Sequence, residues 1–180
     1  MNGLLLKLWK FLPLSKNARL LIMRLCQNQF LVGVTGIIFN EKDDILLFKH
    51  TYREVPWSLP GGYLKAGEHP VEGLEREIEE ESGFIVNIEK RLKIRTDRDT
   101  ARLDICYIGT YLGGEFKGSD EVSEFGFFAF EKLPLLPKNQ ILLIEKAQTE
   151  RKSSPIISTV SPTPPLNDNF LGRVVDRLTE

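Results

Sequence analysis

The stretch from Gly61 to Phe84, GGYLKAGEHPVEGLEREIEEESGF, constrains the chain more than any other. Pro60-Gly61-Gly62 opens it with a turn that reaches backbone angles closed to residues carrying a Cβ. Pro70, with its fixed φ and missing N–H, suits the first turn of a helix. Gly83 stands where helices commonly end in a left-handed glycine. Between these limits Glu77, Glu80 and Glu81 recur at i, i+3 and i+4, and so share one side. Val71, Leu74 and Ile78 form an adjoining stripe that can face a core.

On an exposed helix, like charges at that spacing cost only about 0.2–0.5 kcal/mol per pair, so a solvated acidic face is cheap. Two carboxylates about 4 Å apart in a cleft repel by about 4 kcal/mol at an effective dielectric near 20. A hard divalent cation with oxygen ligands converts that repulsion into binding. Charge alone leaves both options open, and the spacing separates them.

Gly62, five residues, Glu68, seven residues and then Arg76-Glu77-Ile78-Glu79-Glu80-Glu81-Ser82-Gly83-Phe84 resembles an uninterrupted Nudix box, with every defined position filled. The resemblance implies that Glu77, Glu80 and Glu81 bind metal, with Glu68 as an auxiliary carboxylate and the Gly61 carbonyl as a further ligand. Arg76 would orient Glu77 through a charge-assisted hydrogen bond. His69 departs from the Ser, Thr or Asp that often caps this helix, which bears on stability more than on chemistry.

The remaining chain reads as strands around this helix. Phe30–Phe39 is an apolar, β-branched strand, Asn40–Asp44 a turn, and Ile45–His50 a returning strand, together a hairpin. His50, Tyr52, Arg53 and Trp57 follow in a loop leading to the glycine turn. Arg53 could bind phosphate, and Tyr52 or Trp57 could stack or pack; for Trp57 core packing takes precedence over ligand contact. Phe84–Ile94, Arg102–Leu112 and Glu124–Phe130 are further strands, and Asn139–Lys152 is a helix. Nudix proteins often carry Glu-x-x-Glu-x-x-aromatic before a closing Leu-Pro, and Glu121, Glu124 and Phe127 match it here. Glu121 and Glu124 are thus both candidates to complete the metal site or act as base, against the plainer alternative of exposed acids in a charged loop.

Outside that region lie two extensions. Residues 1–28 form a helical arm, 29–152 the Nudix-like domain, and 153–180 a Pro-rich linker with a short terminal helix. The first 26 residues hold Lys7, Lys10, Lys16, Arg19 and Arg24 with no acidic residue, interleaved with Leu. A membrane-surface helix is one reading of that arm. Packing on the domain, or across a homodimer, is favoured over it. Lys7 and Lys10 interrupt any signal-like apolar run, and no stretch is long and apolar enough to span a bilayer. Cys26 and Cys106 are the only cysteines, without a CxxC or a Cys/His cluster. They are expected as two buried thiols in a cytoplasmic protein. A net charge of −1 gives no global field for DNA or RNA.

The resemblance implies an α/β fold, an α/β/α sandwich with a mixed sheet. It implies metal-dependent hydrolysis of a nucleoside diphosphate linked to another moiety: a nucleoside triphosphate, ADP-ribose or a nucleotide sugar. Mg²⁺ is the expected cofactor, with Mn²⁺ as a substitute. Glu80 or Glu81 is expected to matter most, and the base stays open among Glu81, Glu121 and Glu124. The coenzyme A and NADH-type signatures are not evident. Asp99, Thr100 and Ala101 occupy the span where ADP-ribose and dinucleoside polyphosphate subfamilies often carry Pro or Tyr. A catalytically silent nucleotide sensor and an RNA 5′-end pyrophosphohydrolase are the alternatives; the intact box counts against the first and the charge against the second.

Overall fold

A computed structural model describes residues 15–26, 29–97 and 100–153. The elements in chain order are α1 (Lys16–Cys26), β1 (Leu31–Phe39), β2 (Ile45–His50), β3 (Trp57–Ser58), β4 (Gly61–Tyr63) and α2 (Pro70–Ser82). β5 (Phe84–Asp97), β6 (Arg102–Gly114), β7 (Val122–Phe128), a 3₁₀ turn (Phe130–Lys132) and α3 (Lys138–Ser153) complete them. The expected helix at Leu4–Phe11 and the terminal helix after Asn167 lie outside the described residues. Contacts divide the chain into one unit, Met1–Thr149, and a second, Glu150–Glu180.

The strands form one mixed sheet in the order β3-β2-β1-β6-β5, with β4 added to β1 and β7 to β2. Alternation along the strands sends side chains to two cores. Ile37, Phe39, Ile45, Leu47, Cys106 and Ile108 meet Leu143, Ile144 and Ala147 of α3 on one face. Val34, Ile38, Leu46, Phe48 and Tyr107 meet Leu74 and Ile78 of α2 on the other. Both faces of β1 and β2 are therefore covered, which is why those strands read as continuous apolar runs. Leu74 and Ile78 are fully buried, worth about 1.5–3 kcal/mol each in anchoring α2.

Three expectations need correction. β1 and β2 are joined by the predicted turn, but their ladder holds a single residue pair, Phe39 with Ile45. β1 instead runs parallel to β6 from Leu31 to Phe39, and β2 pairs antiparallel with β7. Each apolar strand finds a long partner elsewhere, so the local hairpin opens. Gly61 and Gly62, expected in a turn, belong to the short strand β4, paired through Thr35 and Val34 to β1. Cys106 is buried but Cys26 is exposed on α1, a helix with no buried residue.

Candidate active site

Helix α2 is set by its ends. His69 has extended backbone angles and its Nδ1 accepts from the Val71 amide at 3.4 Å, so the departure from Ser, Thr or Asp still caps the helix. Gly83 closes it at φ 72 in the left-handed region, its N–H returning to the Glu79 carbonyl. At the other side, β4 passes so close that a Cβ on Gly62 would collide with the Glu77 carboxylate. The box glycine is a steric opening for Glu77.

Arg76 is the hub of the acidic face. Its Nε and Nη2 donate to the two oxygens of Glu68 at 2.6 and 3.0 Å. Its Nη1 donates to Glu77 and to Glu80, each at 2.9 Å, and Nη2 also reaches the Tyr63 carbonyl at 3.2 Å. Lys65 adds a backbone bond to Glu68 at 2.9 Å and a side-chain bond to Glu80 at 3.2 Å. The hydrogen bonds from Arg76, followed by the Lys65 amide, hold the Glu68 carboxyl down at about 2. Burial pulls the Glu80 carboxyl up, but the hydrogen bonds from Lys65 and Arg76 outweigh it and leave it below the ordinary value. Lys65 was not singled out from the sequence; its place among the box spacers beside Glu68 was the available signal.

Glu81 is the exception on this face. Its residue is 8% exposed, and its Oε2 is buried with no hydrogen-bond partner. Burial first, then the charges of Glu77 and Glu121, push its carboxyl up to about 8. The i, i+3, i+4 stripe therefore divides: Glu80 stands half in solvent, while Glu81 turns in beside the core of Leu74 and Ile78.

Residues from the ends of β2 and β3 and from the loops after β2 and before β7 close around it. Arg53 and Glu121 act on the Glu81 charge in opposite senses. Arg53 donates to the buried Ser58 hydroxyl at 3.0 Å and lies over the Tyr52 ring at 5.5 Å. Tyr52 donates its hydroxyl to Glu121 at 3.3 Å, and the Thr51 amide bonds the Glu121 carbonyl at 3.0 Å. His50 is 3% exposed, neither ring nitrogen has a partner, and its edge meets Tyr52 at 5.6 Å between centroids. Burial, with Arg53 nearby, lowers its pKa to about 4, so the ring is neutral.

Two sequence candidates stand elsewhere. Glu124 pairs with Lys49 at 2.8 Å across the β2–β7 ladder. Trp57 packs edge-on against Phe128 at 5.1 Å, beside the α3-side core.

The donor set suits a hard cation. Glu68, Glu77, Glu80, Glu81 and the Gly61 carbonyl all offer oxygen donors. With Glu121, these carboxylates outnumber the cations that act on them, Lys65, Arg76 and Arg53, a setting in which a divalent ion would hold Glu81 ionised. The orphaned, buried Oε2 of Glu81 is the sharpest sign of it. Among the described residues, no three acidic, His or Cys side chains converge on one point as they stand, because Arg76 draws Glu77 and Glu80 towards itself.

Known proteins share both pattern and fold. The NUDIX domain model matches residues 29–148. An ADP-ribose pyrophosphatase of Methanocaldococcus jannaschii is 38% identical over 112 residues, covering 58% of this chain and 65% of that protein. The human 8-oxo-dGDP phosphatase NUDT18 is 33% identical over 90 residues, covering 49% of this chain and 28% of that protein. The chain thus spans less than two thirds of the length of either curated relative. Among solved structures, a UDP-X diphosphatase superposes with a TM-score of 0.61 at 25% identity, over 77% of this chain and 73% of that one. An ADP-ribose pyrophosphatase from Streptococcus suis gives 0.58 at 27% identity, over 67% of this chain and 92% of that one.

Proposed function

The chain belongs to the NUDIX domain family, and we propose that it is a divalent-metal-dependent pyrophosphohydrolase of a nucleoside diphosphate linked to a sugar, with ADP-ribose the leading substrate. The observation that carries this is Glu81: a buried carboxylate with an unpartnered oxygen, set among more negative charge than the local cations offset. Relatives in both comparisons bear the name ADP-ribose pyrophosphatase, which supports the substrate class.

Glu77, Glu80 and Glu81, with the Gly61 carbonyl and Glu68, would hold Mg²⁺ or Mn²⁺. When bound, the metal would neutralise the phosphoanhydride oxygens and lower the pKa of a water for in-line attack. Arg76 hydrogen-bonds Glu68, Glu77 and Glu80 and holds the carboxyls of Glu68 and Glu80 below their ordinary range. Arg53, braced by Ser58 and Tyr52, is placed to bind a phosphate oxygen beside Glu81. Glu121, which lies outside the Arg76 network and adds its charge beside Glu81, would accept the proton of the attacking water at its carboxylate. The pairing of Glu124 with Lys49 supports Glu121 over it.

The test is turnover of ADP-ribose, nucleotide sugars and nucleoside triphosphates with Mg²⁺ and Mn²⁺, comparing wild type, Glu121→Gln and Glu124→Gln. Glu121→Gln should lower kcat by about 10²–10⁴-fold, the ordinary value of a positioned base, with Glu124→Gln close to wild type. A larger loss in Glu124→Gln would overturn the assignment. Metal-independent nucleotide binding without turnover would replace the enzyme with a sensor.

A further inference from the structure

A cavity of about 360 Å³ opens between the start of β1 and the loop from β4 to α2, with Phe30, Leu31, Tyr63, Leu64, Lys65 and Glu68 among its walls. That volume falls at the small end of ligand pockets, about 300–1,000 Å³. Two of the walls are aromatic and stand open to solvent, Phe30 at 53% and Tyr63 at 49% exposure.

Tyr63 is held in place by a chain of contacts that begins in the sheet. Arg102 lies over its ring at 5.3 Å and donates to its hydroxyl at 3.3 Å. Arg102 Nε in turn donates to Asp104 Oδ1 at 2.5 Å, while Arg95 clamps Oδ2 through Nε and Nη2 at 3.0 and 2.8 Å. Asp104 is 1% exposed. Burying a carboxylate is costly unless it is paired, and the next two inward positions of β6, Cys106 and Ile108, are ordinary core. Core packing does not call for an acid at this position. What the acid does is fix a guanidinium, and the guanidinium fixes one face of an otherwise exposed ring.

The cavity also adjoins the candidate reaction centre. Glu68 on its rim is the bidentate partner of Arg76. Lys65 bonds Glu80, and the Tyr63 carbonyl accepts from Arg76. The geometry points to this cavity as the pocket for the nucleobase of the substrate, with the base between Phe30 and the free face of Tyr63, and Arg102 a positioning residue behind the ring. Flat aromatic walls beside the apolar side chains of Leu31 and Leu64 suit a planar heteroaromatic ring. A sugar would need hydroxyl partners, which only the Lys65 and Glu68 side provides. The pocket rests on the nucleotide reading of the site above.

The experiment is equilibrium binding of AMP and of ribose 5-phosphate to the full chain with Mg²⁺, read by affinity and by amide resonance shifts. AMP should bind about tenfold more tightly, the contribution of base stacking on an aromatic side chain, with shifts at Phe30, Leu31 and Tyr63. Tyr63→Leu and Phe30→Ser should abolish that preference, Tyr63→Phe should keep it, and Arg102→Ala should weaken it. Equal affinities in the wild type, or a preference that survives both ring removals, would overturn the pocket. Turnover of the nucleotide panel by the same preparations separates the two claims. Hydrolysis without base preference leaves the enzyme and removes the pocket, whereas base preference without hydrolysis does the reverse.

Discussion

At the scale of single residues, Glu81 and Arg76 pull in opposite directions. Arg76 gathers three carboxylates by hydrogen bonds; Glu81 is left outside that network and buried. A carboxyl whose pKa is raised on folding binds its proton more tightly in the folded state. Without metal, the stability tied to Glu81 is therefore fully present below the ordinary value of 4.5 and is lost as pH rises towards 8. The loss should be on the order of a few kcal/mol. Urea melts of the metal-free protein at pH 5 and pH 8 should show it, and Glu81→Gln should remove the advantage at pH 5; an unchanged difference in the variant would refute the assignment. His50 has the opposite sign. Its lowered pKa means that stability is lost as pH falls from 6.5 towards 4, so acid destabilisation in that window should persist in Glu81→Gln. Arg76→Ala should cost about 10–100-fold in metal affinity or activity, as removal of an orienting partner does. The sequence placed Glu77, Glu80 and Glu81 on one side of a helix but could not reveal that only Glu81 is buried. That depends on where Leu74 and Ile78 meet the sheet.

At the scale of elements, helix α2 and strand β4 work as a pair. Gly62→Ala should displace Glu77, whose carboxylate would meet the new Cβ. The obstacle is the end of a flexible side chain, so activity should fall while the melting temperature barely moves. Gly83→Ala differs, because it combines φ 72 with a Cβ directed at the Glu115 carbonyl. It should destabilise by about 1–3 kcal/mol, measured by denaturant unfolding. His69→Ala should cost about 0.5–2 kcal/mol, the ordinary value of an N-cap. The bounds of α2 were legible because Pro70 and Gly83 are local signals. β4 was not, since two glycines oppose a strand and one tyrosine is too short a signal to outweigh them, and only pairing with Gly33, Val34 and Thr35 makes them one. The β1–β2 turn was legible for the same local reason as α2, whereas the parallel β1–β6 ladder spans most of the domain and leaves no periodic trace.

At the scale of the whole molecule, the sheet separates a face that anchors the acidic helix from one covered by α3. The same separation places Glu121 with Glu81 and Glu124 with Lys49, a distinction that Glu-x-x-Glu spacing cannot make because a register shift intervenes between Lys49 and His50. The Arg95–Asp104–Arg102 clamp belongs to this scale too, tying β5 to β6. Either arginine alone can satisfy Asp104, so Arg95→Ala and Arg102→Ala should each be tolerated better than the pair. The double variant leaves a buried charge unpaired and should cost about 3–5 kcal/mol. The measurement that bears most directly on the central claim is ADP-ribose hydrolysis by wild type and Glu81→Gln, each with Mg²⁺ and with chelator. Metal-dependent release of AMP and ribose 5-phosphate, reduced about a hundredfold or more in the variant, is the expected result. Equal turnover by both proteins, or turnover indifferent to chelator, would contradict it.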